Sequence, residues 1–268
     1  MRGKVVIVTG ASSGIGKALS EKLALSGAVV VLAARDLAKI KLISDELNNK
    51  SCETFAIKTD VSNEDDCKNL IIQTIEKYQK IDVLINNAGI SMRAIFEDVD
   101  LKVLKQLMDV NFWGTVYCTK YALPYLLRSK GSVVGVSSIA GFKGLPGRTG
   151  YSASKFAMQG FLEVLRIENL KKGLHVLIAC PGFTASNIRK TALAKDGSMQ
   201  GETPRNEDKM MSADDVALRI INGIIKRKKT IIMSIDGHLT VLLNKFFPSF
   251  VDKLVFNHMA KEPDSPFK

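Results

Sequence analysis

The stretch KVVIVTGASSGIG, which runs from Lys4 to Gly16, decides the fold of this 268-residue chain. An apolar, β-branched run leads into a turn rich in glycine and serine, and this predicts a strand, a turn and a helix. Two kinds of chemistry use such a junction. Gly10, Ser12 and Gly14 match the G-x-S-x-G nucleophile elbow of serine hydrolases. Gly10, Gly14 and Gly16 match a glycine-rich turn that cradles a phosphate group.

The position of this turn favours phosphate binding. Only nine residues precede Gly10, whereas a hydrolase elbow follows several strands, and an earlier loop supplies its oxyanion donor. The three histidines offer no local partner for a nucleophile. In the phosphate interpretation, Gly10 permits a tight turn, Gly14 lets the backbone approach a pyrophosphate, and Gly16 lets the helix pack on the sheet. The positive end of the helix then faces the phosphates.

Apolar runs of strand length alternate with segments of helical spacing along the whole chain. The predicted strands are Val5–Val8, Val29–Leu32, Thr54–Ile57, Val83–Ile85, Val133–Val136, Val176–Ile178 and Ile231–Ile232. This alternation predicts an α/β fold, a doubly wound parallel (Rossmann) sheet of about seven strands with helices on both faces. We predict a single domain over residues 1–268. Within it we predict a substrate loop at 184–211 and a helical C-terminal extension at 239–268.

Composition limits the possible partners and compartments. The net charge of +11 could attract anions, nucleic acid or acidic lipid, but a solvated basic surface is the favoured explanation. The densest basic cluster, Lys226–Lys229, has no interleaved aromatic residues, so we expect no nucleic-acid partner. The apolar runs are strand-sized, and we read no targeting segment. The four cysteines form no C-x-x-C pair, so we expect no disulfide framework, no metal site and a cytoplasmic location.

Five separated motifs carry a family resemblance. They are TGASSGIG at the first turn, NNAG at Asn86–Gly89, SS at Ser137–Ser138, YSASK at Tyr151–Lys155 and PG at Pro181–Gly182. In this order and spacing the chain resembles the short-chain dehydrogenase/reductase family over about residues 3–235. The segments AAR and GYSASKFA resemble its 11β-hydroxysteroid dehydrogenase-like branch. The resemblance implies hydride transfer between a nicotinamide dinucleotide and a carbonyl or secondary alcohol, in a homodimer or homotetramer.

The predicted catalytic residues are Ser138, Tyr151, Lys155 and Asn111. Tyr151 and Lys155 are four residues apart and share a helix face, so we expect the ammonium to lower the pKa of the phenol from about 10. The resemblance implies that Tyr151 exchanges the proton, Ser138 orients the substrate oxygen, and Lys155 also holds the nicotinamide ribose. Ser137 competes with Ser138, but the thirteen-residue spacing to Tyr151 favours the latter.

Asn111 has two interpretations, which are compatible. By resemblance it holds a water that links Lys155 to a proton relay, whereas as a plain structural residue its amide caps backbone groups at a helix kink. Asn87, with Ala88 and Gly89, has a similar choice. The family uses this segment both to shape the cofactor site and to brace the central sheet.

The remaining cofactor contacts follow from the resemblance. Asp60 and Val61 line the adenine pocket, and Pro181 and Gly182 pass beneath the nicotinamide. Thr184 and Ser186 are candidates for binding the carboxamide or the phosphates. The predicted cofactor residues are Gly10, Ser12, Ser13, Gly14, Ile15, Gly16, Arg35, Asp60, Val61, Asn87, Ala88, Gly89, Tyr151, Lys155, Pro181, Gly182 and Thr184.

The end of the second predicted strand indicates which dinucleotide binds. An NAD site places an acid there for the ribose 2′-hydroxyl, but this chain has Arg35, whose guanidinium pairs well with a 2′-phosphate. Asp36 comes one residue later, where capping of the next helix explains it equally. We therefore predict NADP(H) rather than NAD, with a solvated Arg35 as the alternative.

The substrate is less clearly encoded. Ser138, Tyr151, Phe142 and Phe183 are the predicted substrate-binding residues. The neighbouring apolar candidates, some of which core packing would also explain, are Ile90, Met92, Ile139 and Ile188. They favour a lipophilic steroid, acyl or retinoid-like compound.

Two alternatives stay open at this stage. The chain is either an enzyme or a catalytically silent module that binds a dinucleotide for regulation. The C-terminal extension covers the cleft, joins a subunit interface or lies on a membrane surface. The first two are favoured, and Pro248 prevents one continuous helix there.

Overall fold

In the computed structural model, the residues described are 1–185, 188–201, 210–262, 265 and 267. Within them, seven parallel strands form one sheet in the order β3-β2-β1-β4-β5-β6-β7. The strands are β1 (Val5–Thr9), β2 (Val29–Ala34), β3 (Glu53–Lys58), β4 (Val83–Asn86), β5 (Ser132–Val136), β6 (His175–Cys180) and β7 (Thr230–Ile232). The predicted fold class is therefore confirmed, and every predicted strand is present with a slightly longer span.

Helices cover both faces of the sheet, as predicted. They are α1 (Gly14–Leu25), α2 (Leu37–Asn48), α3 (Glu64–Tyr78), α4 (Leu101–Met108), α5 (Gly114–Arg128), α6 (Thr149–Glu168), α7 (Ala213–Ile225), α8 (Ile235–Phe246) and α9 (Pro248–Ala260). In β1, Val6 and Val8 join the core beneath α1, α2 and α7, while Ile7 joins the core beneath α3, α5 and α6. Alternate side chains of one buried strand thus supply two cores.

The strand order creates a crevice at the carboxyl edge of the sheet. β1 pairs with β2 on one side and with β4 on the other. The chain therefore leaves β1 towards one edge and later returns to build the other edge. Ligands of open α/β sheets bind where the order reverses in this way. The loops that follow β1, β4 and β5 all open at this point.

Two segments interrupt the strand–helix alternation, the predicted substrate loop and the C-terminal extension. Residues 184–211 are closed at their base, where Met211 N donates to Phe183 O and Ala185 N donates to Met211 O. The extension is helical, as predicted, but it begins at Ile235 because the Ser234 side chain caps α8. Pro248 is the first residue of α9 and so ends the continuous helix. Among the described residues, none of the helices combines the length and apolar character needed to cross a bilayer.

Candidate active site

A cavity of about 1510 Å³ occupies the crevice at the carboxyl edge of the sheet. One side of it, here called the glycine-turn side, is lined by residues 10 and 12–16 and by the loops after β2 and β3. The other side, here called the C-terminal side, is lined by the loop after β6 and by α8 and α9. Ser138, Tyr151 and Lys155 line the same cavity. The structure therefore brings three of the four predicted catalytic residues to the cavity beside the glycine turn, while Asn111 does not line it.

The glycine turn depends on the absence of side chains. Gly10 and Gly14 have φ angles of +66° and +51°, a region that glycine enters without steric cost. A β-carbon at Gly10 would lie 2.8 Å from the Ala88 Cα, and one at Gly16 would lie 2.1 Å from the Gly10 carbonyl oxygen. The close approach of α1 to this turn therefore requires glycine at positions 10 and 16.

The N-terminus of α1 faces the cavity without a side-chain cap. Ser13 occupies the N-cap position, but its hydroxyl makes no capping hydrogen bond. The other helices that begin near strand ends behave differently, since Asp36 caps α2 and Asn63 caps α3. Backbone N–H groups at an uncapped helix start attract anions. Ser12, Ser13 and Ile15 line the cavity beside them, and their contact with a phosphate stays a prediction.

Asn87 braces the glycine turn from the neighbouring strand end. Its Nδ2 donates to Thr9 O at 2.9 Å and to Gly10 O at 3.3 Å. The Thr9 hydroxyl accepts from the backbone N–H groups of Asn87 and Ala88, both at 3.0 Å. Asn87, Ala88 and Gly89 also line the cavity. The segment therefore braces the glycine turn, as one of its two interpretations predicted. Thr9, which the sequence reasoning missed, supplies the hydroxyl and the carbonyl that it binds.

Tyr151 lies in the first turn of α6 and is partly buried. Burial raises the pKa of its phenol above the usual 10.0, while interactions with the Ser138 side chain and the Arg148 charge lower it. The predicted lowering by Lys155 is therefore wrong for this arrangement, because desolvation of the phenol is the larger effect. A protonated phenol is the form that donates a proton.

Lys155 is buried one turn beyond Tyr151. Its Nζ donates to Val136 O at 2.9 Å and lies 5.7 Å from the centre of the Tyr151 ring. Burial lowers the pKa of the Lys155 amine to about 8. A β-carbon at Gly89 would come within 3.4 Å of Nζ, so Gly89 keeps room for the amine beside the cavity.

The structure distinguishes Ser138 from Ser137. Ser137 is buried, and its hydroxyl accepts from Gln159 Nε2 at 2.9 Å. The Ser138 hydroxyl accepts from Ala140 N at 3.2 Å and so caps a short 3₁₀ turn. Its hydrogen bond also lowers the pKa of Tyr151, against the larger effect of burial. Gln159 was missed by the sequence reasoning. Its position four residues after Lys155, on the same helix face, was the available signal.

Asn111 lies in a π-helical turn, Asp109–Trp113, between α4 and α5. Its side chain binds the backbone of Ile90 in both directions, with Oδ1 accepting at 2.9 Å and Nδ2 donating at 3.0 Å. Nδ2 also donates to the Ser154 hydroxyl at 2.9 Å. The structural role considered for Asn111 is therefore present, and it ties the loop after β4 to α6.

Arg35 and Asp36 have separate roles at the end of β2. Asp36 Oδ1 accepts from Lys39 N at 3.1 Å and so caps α2. Arg35 is exposed and lines the cavity. Asp60 and Val61 line the same side, and the Asp60 carboxylate accepts from Ser62 N and Oγ at 3.0 and 2.7 Å. Asp36, the acid that follows β2, is thus engaged in capping the start of α2.

The loop after β6 brings most of its predicted residues to the cavity. Pro181, Gly182, Phe183 and Thr184 all line it, and the Thr184 hydroxyl donates to Gly182 O at 3.1 Å. Ser186 lies outside the described residues. Phe142 does not line the cavity, because it packs against the core beneath α6.

The other apolar candidates divide in a similar way. Ile90, Ile139 and Ile188 line the cavity, whereas Met92 is fully buried in a separate core cluster. The C-terminal side also contains apolar residues that sequence reasoning did not assign to the site. They are Leu193, Met199, Met210, Met211, Leu239, Leu243, Val251, Leu254, Val255 and Met259.

Comparisons with known proteins place the chain among related sequences. The sequence pattern of the family described as short chain dehydrogenase matches residues 4–197. The chain is 35% identical over 263 residues to 11-beta-hydroxysteroid dehydrogenase 1A of Arabidopsis thaliana, which covers 93% of this chain and 74% of that protein. It is 32% identical over 267 residues to dehydrogenase/reductase SDR family member 7B of Danio rerio, with 97% and 86% covered.

A solved structure gives the same result for the fold. A short-chain dehydrogenase/reductase from Burkholderia phymatum, crystallised in complex with NAD, superimposes with a TM-score of 0.83 at 25% identity, covering 93% of this chain and 95% of that one. The family match and the curated relatives indicate an oxidoreductase of the class that acts on alcohols and ketones. The chain belongs to the short-chain dehydrogenase/reductase family, and its curated relatives include members of the 11β-hydroxysteroid dehydrogenase-like branch.

Proposed function

We propose that the protein transfers a hydride between NADP(H) and a carbonyl or secondary alcohol of a lipophilic compound of steroid, acyl or retinoid-like character. The observation that carries this proposal is that Ser138, Tyr151 and Lys155 line one cavity with the uncapped start of α1. When bound, the nicotinamide would supply or accept the hydride. The positioning of the substrate and the movement of the proton then fall to this chain's own residues.

The residues of the glycine-turn side fit a dinucleotide. Gly10 places no side chain in the turn, and the free N–H groups of α1 suit a pyrophosphate. Arg35 supports NADP(H), because its exposed guanidinium faces the cavity while Asp36 is engaged as a helix cap. The related Burkholderia structure contains NAD, so the preference for NADP(H) depends on Arg35 alone.

The proton is exchanged at the Tyr151 hydroxyl in this proposal. The raised pKa of the phenol keeps it protonated at neutral pH, which is the form required to protonate the oxygen of a reduced carbonyl. Ser138 donates to the same oxygen and so fixes its position. Lys155 holds the nicotinamide ribose, and Asn111 keeps the loop at Ile90 in place beside it.

The lipophilic substrate is supported by the C-terminal side of the cavity. Most of the side chains that Phe183, α8 and α9 contribute to it are apolar, with Asp236, Thr240 and His258 as the polar exceptions on the two helices. An apolar pocket with a few polar groups at one end binds an apolar ligand in a fixed orientation. The loop 184–211 then acts as the substrate loop that excludes water from the reaction.

Assembly and location belong to the same proposal. Phe156, Val164 and Ile167 are each about half exposed and lie on one side of α6 by helical spacing, which supports a homodimer or homotetramer. The four cysteines are all free thiols in the structure, which supports a reducing compartment such as the cytoplasm.

The test combines the Tyr151→Phe variant with a panel of steroid, acyl and diketone compounds and NADPH. We expect wild-type protein to oxidise NADPH with at least one of them and the variant to lose turnover while its NADPH affinity is unchanged. Tyr117→Phe, a partly buried tyrosine outside the cavity, is the matched control. Turnover that survives in Tyr151→Phe would contradict the assignment. Tight NADPH binding without turnover of any compound would favour the silent regulatory module.

A further inference from the structure

The segment after α9 reaches back to the residues that immediately precede Tyr151. The Glu262 carboxylate lies 3.6 Å from an Arg93 guanidinium nitrogen and 3.8 Å from an Arg148 guanidinium nitrogen. All three side chains are at most 10% exposed. Buried charges are costly unless they are paired. This cluster therefore requires that residue 262 occupies one defined position.

The start of α6 is held by this cluster and by the neighbouring backbone. Arg148 is the residue before α6, and its Nη1 donates to Met92 O at 2.9 Å. Ala94 N donates to Gly147 O at 3.0 Å. The backbone N–H of Arg93 donates to Leu193 O at 2.9 Å and so joins the same network. The loop after β4, the substrate loop and the first turn of α6 are thus joined at one point.

A second contact, which does not involve charge, places the same tail at the same point. Phe267 lies against Gly147, where a β-carbon would be 3.3 Å from its ring. The Phe267 ring also contacts Phe256 of α9, with the ring centres 5.7 Å apart. Gly147 has a φ angle of +71°, which favours glycine, and the tail packs against this turn.

We propose that Glu262 is a positioning residue for the proton-exchanging tyrosine, because it fixes Arg148 and with it the first turn of α6. The C-terminal tail then acts on the active site from outside the cavity, through Arg148 and Gly147. Arg148 is three residues before Tyr151, and its positive charge lowers the pKa of the phenol. This inference rests on the proposed role of Tyr151, but its test does not require turnover.

Several other groups surround Tyr151 and are unchanged by the test. Ser138 and Cys180 interact with the phenol from the ends of β5 and β6, and Lys155 lies one helical turn away. The remaining charged or titratable side chains in the shared cavity are those of Arg35, Asp36, Lys39, Asp60, Arg189, Asp236 and His258. The two charge-removing variants of the cluster alter only Glu262 or Arg148 and none of these groups, so a change in the phenol titration in them is assigned to the cluster.

The experiment follows the Cζ signal of ¹³C-labelled tyrosine by NMR as the pH rises, with Tyr151→Phe used to assign the resonance. Glu262→Gln removes a negative charge beside Arg148, so we expect the pKa of Tyr151 to fall by about half a unit or more. Arg148→Gln removes a positive charge, so we expect the pKa to rise. Glu163→Gln, the same substitution on the exposed side of α6, is the control and leaves the titration unchanged.

The opposite directions of the two shifts show that the cluster acts on the phenol, which a contact that only stabilises the fold would not do. If Glu262→Gln and Arg148→Gln both lower the melting temperature but leave the Tyr151 titration unchanged, the tail is only a structural anchor and the inference is wrong. Phe267→Ala provides a second variant that keeps all charges and is expected to weaken the tail contact. If both shifts appear but no carbonyl is reduced, the inference stands and the proposed function fails.

Discussion

The glycine-turn side of the cavity is built around a hydrogen-bonded backbone turn with polar side chains beside it, whereas the C-terminal side is dominated by large apolar side chains, most of them on two helices. In the first, Asn87 and Thr9 hold the turn through hydrogen bonds of 2.9–3.3 Å. In the second, Val251 and Met259 are buried beside the cavity. Directional bonds define one side, and non-directional packing defines the other.

This difference teaches how the two sides tolerate change. Hydrogen-bonded turns with positive φ angles accept few residue types, while apolar walls accept other side chains of similar volume. The C-terminal helices are joined to the rest of the protein by bonds such as those from Lys143 Nζ to Asn244 at 2.8 Å and to Asp252 at 2.5 Å, and by apolar packing. We therefore expect changes to the glycine-turn side to be severe and changes to the C-terminal side to remain local.

The largest effect is expected for Gly16→Ala. The new β-carbon would lie 2.1 Å from the Gly10 carbonyl oxygen, so α1 must move and the unfolding free energy should fall by about 3 kcal/mol or more. Urea denaturation measures this change, and NADPH fluorescence measures the loss of binding. Gly144→Ala, where a β-carbon meets nothing within 4 Å, is the control. Equal stability of the two variants would contradict the account of the turn.

The next effect concerns the C-terminal side. Val251→Asp places a charge where only 2% of the residue is exposed, so we expect α9 to detach locally at a cost of about 2 kcal/mol. Hydrogen exchange should speed up in α9 but not in α1, and the affinity for NADPH should not change. Phe250→Asp, at an adjacent position that is 56% exposed, should have little effect. Global unfolding of Val251→Asp would show that the two sides are not independent.

A smaller effect is expected within the glycine-turn side. Arg35→Ser removes the proposed partner of the 2′-phosphate, so the dissociation constant for NADPH should rise about tenfold. The affinity for NADH should stay the same, because NADH has no such phosphate. Isothermal titration with both cofactors measures the difference, and Lys41→Ser, an exposed cation on α2 outside the cavity, is the control. An equal loss for both cofactors would argue against the preference for NADP(H).

The smallest effect lies outside both sides and tests the shared framework. His175 Nε2 lies 2.8 Å from Lys228 O, and Nδ1 lies 2.9 Å from the Ser132 hydroxyl. Burial lowers the pKa of His175 below its usual 6.5. The unfolded chain therefore binds a proton at a higher pH than the folded protein does, and stability falls as the pH drops through about 6.5.

Thermal unfolding at several pH values measures this dependence. His175→Gln keeps hydrogen-bonding capacity without titrating, so its unfolding temperature should decline less between neutral pH and pH 5. His238→Gln, at an exposed histidine, is the control and should retain the wild-type dependence. Identical pH dependence in His175→Gln and the wild type would contradict the assignment.

Much of the fold was predictable because the buried strands are continuous apolar runs bounded by turns. The thirteen-residue spacing likewise selected Ser138, and the structure engages the Ser137 hydroxyl with Gln159, although both serines line the cavity. The position of Phe142 outside the cavity was not predictable, because it depends on the 3₁₀ turn after Ser138, which places the Phe142 side chain against the core. The direction of the Tyr151 pKa was not predictable either, because it depends on how deeply the phenol is buried.

By itself the sequence determined the apolar runs that form the strands, the glycine turn and the Tyr151–Lys155 pair, because each depends on residues within a few positions of one another. Only the tertiary structure decided which groups meet across long separations, such as Glu262 with Arg148 and α9 with the cavity. The physical reason is that local geometry follows from backbone preferences and short spacings, whereas burial and charge pairing exist only once distant segments pack together.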